Sequence, residues 1–146
     1  MSEKCRLHFD SPRQSVLPSQ SGLNWGNANA HVNTGDAYIP IRKGDISKHP
    51  AIFPVVNQGQ AIINVTWDDG TEMTCLFEGT QDINGIIYPK QISSYNDKSI
   101  LGHYLRKRIG VSVTAIVTDA ELARYGRTHI DITKNDDGTF FFDFSV

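Results

Sequence analysis

The triplet Asp-Asp-Gly occurs twice, at residues 68–70 and 136–138, and each copy stands between runs that alternate apolar and polar side chains. Ala61, Ile63, Val65 and Trp67 precede the first copy, within Gln60–Trp67, and Met73, Cys75 and Phe77 follow it. His129–Thr133 and Thr139–Phe144 flank the second, with Phe140, Phe142 and Phe144 sharing one face. A period of two places alternate side chains on a core face, and Asp-Gly supplies the hairpin turn between two such runs. Two antiparallel hairpins are therefore expected, and they make the chain predominantly β.

Shorter signals fill in the rest. Val16–Pro18 reads as a short strand, and Ala37–Ile41, interrupted by Pro40, as an edge strand because proline has no amide to donate. Gly79–Gly85 reads as a polar loop, with a further strand over Ile86–Ile92. Ile100, Leu101, Tyr104, Leu105 and Ile109 recur at helical spacing, which predicts a helix over Ser99–Ile109 ended by Gly110, with Asn96 or Asp97 at its cap. Thr118-x-x-Glu121 is a capping box that predicts a second helix to Tyr125, ended by Gly126. The 146 residues suit one domain, 1–146, with residues 1–13 as a polar lead-in. Mostly β with two short helices points to a barrel or pseudobarrel.

Composition narrows the function. The two cysteines, Cys5 and Cys75, form no C-x-x-C pair, so neither a thiolate zinc site nor a secreted disulfide framework is expected. No apolar leader or membrane-length run is visible, and a cytoplasmic location is the expectation. The formal net charge of -2 opposes bulk attraction to nucleic acid, so a nucleic-acid partner would have to be gripped by local cations.

Three stretches carry a family resemblance: Ser21-Gly22-Leu23-Asn24-Trp25-Gly26 with Ala37-Tyr38-Ile39-Pro40-Ile41; Ser99–Val111; and Arg124-Tyr125-Gly126-Arg127-Thr128 with Phe142-Asp143-Phe144-Ser145. In this order the chain, from about Leu17 to Val146, resembles the C-terminal DNA-recognition domain of BfiI/NgoFVII-type restriction endonucleases. The resemblance implies a seven-stranded DNA-binding pseudobarrel like that of the plant B-three transcription factors. It implies double-stranded DNA as partner, gripped in the major groove by two projecting arms. It also implies a phospholipase D-like nuclease domain or subunit as companion. That domain's His-x-Lys signature is absent here, so an excised recognition domain and a free-standing relative both stay open. The family tends to continue Trp-Gly with Gln-Arg, whereas here Gly26 is followed by Asn27-Ala28-Asn29-Ala30-His31. The arm thus lacks an arginine for guanine, and no relative's target sequence carries over.

The first candidate arm, Ser19–Asn33, offers Gln20, Asn24, Asn27, Asn29, His31 and Asn33. An Asn or Gln amide pairs bidentately with adenine N6 and N7, although Asn also serves turns without any ligand. Trp25 reads as a packing anchor at the base of this arm. The second arm, Gly79–Gln91, offers Gln81, Asp82, Asn84, Lys90 and Gln91, against the plainer reading of a solvated hairpin loop. Arg42, Lys43 and Lys48 are the phosphate candidates. Arg106, Lys107 and Arg108 fan out around a helix and read as a solvated helix C-terminus, where cations complement the dipole. Arg127 reads as a tie for loop carbonyls.

Rival functions stay in view. Asp68 and Asp69, with Glu72 and Glu78 nearby, could hold Mg²⁺ in a metal-dependent nuclease or other small hydrolase. However, Asp-Asp-Gly is turn chemistry, and no Glu-x-Lys, Gly-x-Ser-x-Gly or His-Glu-x-x-His motif is present. No catalytic centre, cofactor or metal is therefore expected. A modified-base reader and a binding module for protein or carbohydrate also stay open, since barrels host many functions.

Overall fold

The computed structural model describes residues 3–11, 16–28 and 32–146. Its strands and helices follow in chain order. β1 (Glu3–His8) leads to a 3-10 helix (Gly22–Asn27), β2 (Ile39–Pro40) and α1 (Lys43–Lys48). β3 (Ile62–Trp67), β4 (Glu72–Glu78), β5 (Gln81–Ile83), β6 (Ile86–Tyr88) and β7 (Gln91–Ser94) come next. α2 (Ser99–Ile109), α3 (Asp119–Tyr125), β8 (His129–Lys134) and β9 (Phe140–Asp143) complete the fold.

Seven strands form one sheet in the order β1-β8-β9-β3-β4-β7-β2, antiparallel except for the β3–β9 pair. Its two end strands, β1 and β2, come into contact and bring the sheet close to closure. This is the pseudobarrel that the resemblance implies. Both Asp-Asp-Gly hairpins form, joining β3 to β4 and β8 to β9. Ile63, Val65 and Trp67 of β3 and Met73, Cys75 and Phe77 of β4 point inward, whereas Ala61, before β3, stays exposed.

Aromatic rings weld the interior. Trp67 meets Phe142 edge to face at 5.2 Å and Tyr104 of α2 at 4.7 Å. Phe140 meets Phe77 at 5.7 Å, and Tyr125 of α3 stacks on Phe144 at 4.6 Å. Such pairs stabilise beyond their buried area, by about 0.5–1.5 kcal/mol each. Both long helices are thereby fixed to the barrel through one aromatic layer.

Three local expectations need correction. The polar lead-in contains β1, which puts Cys5, Leu7 and, just beyond it, Phe9 into the core while Lys4 and Arg6 face solvent. Val16–Pro18 forms no strand: the Leu17 amide donates to Asp119 at 3.2 Å instead. The strand expected over Ile86–Ile92 is split into β6 and β7, because Pro89 cannot continue a ladder. α1 has no sequence signature, because this short helix buries only Ile46 and so shows no period. α2 runs over the residues expected, with Gly110 left-handed at its end. α3 starts where the capping box puts it, with Thr118 as the cap and Glu121 three residues on, although the Thr118 hydroxyl donates to Glu121 rather than accepting from the helix backbone.

Candidate nucleic-acid interface

The first arm is built around one buried amide. Asn24 Nδ2 donates to the carbonyls of Pro18 (2.8 Å) and Val117 (2.7 Å), and its Oδ1 accepts from the Val117 amide (2.8 Å) and Arg106 Nη2 (3.2 Å). With 0 % exposure and every polar atom engaged, Asn24 as placed has nothing free for a base. It shapes the arm and does not project from it.

Glycines let the arm fold tightly. A Cβ on Gly26 would fall 2.6 Å from the Gly35 amide, and one on Gly102 of α2 would fall 1.7 Å from the Gly35 carbonyl oxygen. The arm's return limb thus lies directly on the helix backbone. Asn27, exposed, donates to the Ser19 carbonyl at 2.9 Å across the arm's entry. Gln20 and Asn33 are exposed as well. Asn29 and His31 lie outside the described residues. Trp25 packs edge-on against Tyr38 at 5.3 Å, under the Lys98 ammonium at 4.8 Å.

The second arm is more than the polar loop expected. β5 and β6 form a two-stranded ribbon that turns at Asn84-Gly85, both at positive φ (54° and 86°), the pattern of a type I′ hairpin. Asp82 accepts from the Gly85 amide at 2.8 Å and stiffens that turn. Gln81 is a clip: its Nε2 donates to the carbonyls of Ile41 (3.0 Å) and Pro89 (2.9 Å) at the ribbon's base. Asp82, Asn84 and Lys90 are exposed. Gln91 is half-buried and donates to Glu78 at 2.9 Å.

Both arms rest on the residues that flank β2. The Tyr38 amide donates to the Gly22 carbonyl of the first arm (3.1 Å), and three residues on the Ile41 amide donates to the Lys90 carbonyl of the second (2.9 Å). At ~3.3 Å per extended residue the two anchors are about 10 Å apart. A second tie runs through Lys98, which covers Trp25 and pairs with Glu78 at 3.2 Å. Glu78 also accepts from Ser93 at 2.7 Å. Burial raises its carboxyl, but the hydrogen bonds from Ser93, Gln91 and Lys98 outweigh that and hold it below the usual range.

The cations separate into two kinds. Lys43 and Lys48, at the two ends of α1, and Lys107 of α2 are exposed. Arg42, Arg106, Arg108 and Arg127 are engaged. Arg42 donates to the Asp10 backbone carbonyl and pairs with its carboxylate at 3.3 Å. Arg106 is buried, and Arg108 grips Asp68 with two bonds of 2.7 Å, so the solvated helix end expected there is realised only by Lys107. Arg127 is the tie expected, donating to the carbonyls of His129 (3.0 Å) and Ser145 (2.9 Å) and to Asp131 (2.8 Å).

The acidic rival loses its first ligand. Asp68 Oδ1 also accepts from the Phe144 amide at 2.7 Å. Burial raises the Asp68 carboxyl, yet Arg108 and that amide more than offset it and keep the group ionised. Asp69 accepts from the Thr71 amide at 3.0 Å, as turn chemistry requires. Among the described residues, no three His, Cys, Asp or Glu side chains converge as a metal-binding group.

A family model described as the NgoFVII C-terminal B3-like DNA-binding domain matches residues 1–136. The chain belongs to that family. It is a B3-like DNA-binding domain, and its partner is DNA. No curated protein matches it. The family match takes in β1, which the resemblance from Leu17 onward left out, and stops before β9, although β9 joins β8 to β3 in the sheet. Among the described residues no helix is long and apolar enough to cross a membrane.

Proposed function

We propose that this B3-like domain reads a specific sequence in duplex DNA through two arms set in the major groove. It serves as the target-recognition module of a restriction endonuclease, or of a free-standing relative. On this reading it has no catalytic centre, and cleavage belongs to a phospholipase D-like nuclease domain or subunit. The observation that supports the proposal is the mounting of both arms on the residues flanking β2, about 10 Å apart at ~3.3 Å per residue. The major groove is about 12 Å wide and accepts a two-stranded ribbon. Rigid mounting matters because base readout depends on fixed hydrogen-bond geometry.

In this scheme Gln20, Asn27 and Asn33 face bases from the first arm, with Asn29 and His31 on the stretch between. Asn84 and Lys90 do so from the second arm. Lys43 and Lys48 take phosphates. Asn24, Arg42, Gln81, Asp82 and Gln91 hold the arms in shape through the bonds given above. A net charge of -2 leaves little nonspecific attraction, so affinity comes mainly from directed contacts.

Methylation interference tests the groove assignment. Dimethyl sulfate marks guanine N7 in the major groove and adenine N3 in the minor groove. Exclusion of duplexes methylated at guanine N7, with adenine N3 methylation tolerated, is expected. The reverse pattern would overturn the major-groove placement. Divalent-metal-dependent cleavage of DNA by the purified chain would overturn the non-catalytic part.

A further inference from the structure

The tip of the second arm carries chemistry that its polar candidates do not explain. Ile86 and Ile87 are 46 % and 37 % exposed at the end of the β5–β6 ribbon. The ribbon's base is clipped by Gln81, its turn is locked by Asp82, and the Val56 amide braces the Ile87 carbonyl at 2.8 Å.

Register assigns the faces. Ile83 pairs with Ile86 and Gln81 with Tyr88, so these four share one side, while Asp82 and Ile87 share the other. The side ending in Ile86 therefore carries no carboxylate. Beside it, at the turn, stands the exposed Asn84, whose side-chain amide makes no hydrogen bond among the described residues. One rigid tip thus offers an apolar surface next to a free donor–acceptor amide.

In the major groove, A·T is the pair that shows both features in complement. Adenine presents N7 and the N6 amine to an amide, and thymine presents a C5-methyl, which unmodified G·C lacks. We infer that the second arm reads an A·T pair, with Ile86 against the thymine methyl and Asn84 on the adenine edge. This rests on the reading of the hairpin as a major-groove arm. A protein surface is the other chemistry that could cover Ile86, and the experiment separates the two.

The test uses a duplex selected from a random pool by the full chain. Each thymine in turn is replaced by deoxyuridine, which removes one methyl and nothing else. At one position the substitution is expected to weaken wild-type binding about fourfold, the value of one buried methylene-sized group. Ile86→Ser should lose about the same on the thymine duplex and be indifferent to uracil there. It replaces an exposed side chain, so its melting temperature should match wild type. Asn84→Gly keeps the positive φ and removes the amide. It should relax the choice of adenine at the same pair while leaving the uracil effect intact. Indifference of the wild type to uracil at every thymine, with the motif still selected, would overturn this inference and leave sequence reading standing, and would give Ile86 to a protein partner. Failure to select any motif would overturn both.

Discussion

Arg106 Nη2 lies 3.2 Å from Asn24 Oδ1, with both side chains buried, at 3 % and 0 % exposure. Arg106 also donates to the carbonyls of Ala115 (2.8 Å), Leu23 (3.0 Å) and Gly102 (3.2 Å). The guanidinium is thus held by neutral oxygens from α2, the loop after it and the first arm. It is the bolt between arm and barrel.

Removing one side of that bolt leaves several buried groups unpaired. Asn24→Ala strips partners from Arg106, from the Val117 amide and from two carbonyls. Each buried group left unsatisfied costs about 1–3 kcal/mol, and a loss of at least about 2 kcal/mol is expected. Urea unfolding should show a lower midpoint at unchanged slope. Unchanged stability with altered choice at one base position would return Asn24 to the reading surface.

Gly102→Ala tests the contact between α2 and the first arm. Its Cβ would fall 1.7 Å from the Gly35 carbonyl oxygen, so the arm must shift. Overpacking of this kind costs about 1–3 kcal/mol. DNA affinity should drop although residue 102 is buried. Wild-type stability and affinity together would mean that the arm does not rest on the helix.

What the sequence disclosed, and what it hid, follows from the range of the interactions. β3, β4, β8 and β9 were legible because alternation is a local property and Asp-Asp-Gly marks their turns. β1 alternates too, with Cys5 and Leu7 inward and Lys4 and Arg6 outward, but it is short and charged and no Asp-Asp-Gly turn marks it. At the site, Asn24 and Asn27 look alike as residues in a polar stretch. Val117 and Arg106, 93 and 82 positions away, make one a core strut, while the other stays exposed. The 100° step of a helix predicts that Arg106, Lys107 and Arg108 diverge, but not that two of them find Asn24 and Asp68. Ile86 falls within an expected strand, and its exposure follows only from the Asn84-Gly85 turn.

Lys43→Ala and Lys48→Ala should act through phosphates. Each should weaken binding to all duplexes alike and reduce the salt slope of log K by about one. Titrations at several salt concentrations check this. A loss confined to one sequence would make the residue a base reader.

Acid should unfold the domain through its paired carboxylates. Asp68, Glu78 and Asp131 are each raised by burial but lowered further by their partners, with a net shift below the ordinary values of 3.8, 4.5 and 3.8. A depressed folded pKa contributes stability above the unfolded value and loses it as pH falls through the folded one. Stability should therefore be flat near neutrality and decline once pH drops below about 4.5. Asp68→Asn should flatten part of that decline. An Asp68→Asn profile parallel to wild type would contradict the Arg108 assignment.

Both thiols should be silent in the native state. Burial pushes Cys75 up to about 12, and burial with the nearby Asp45 carboxylate does the same for Cys5. A thiol reagent at pH 8 should label neither until denaturant is added, and then both. Fast native labelling of either would contradict the core described here.

The most direct measurement is selection of bound duplexes from a random pool at physiological salt, run in parallel for wild type, Asn27→Ala and Asn84→Gly. The account predicts one short motif for the wild type, with preference relaxed at different base positions in the two variants. No enrichment over background, or identical motifs for all three proteins, would contradict a reader built on two arms.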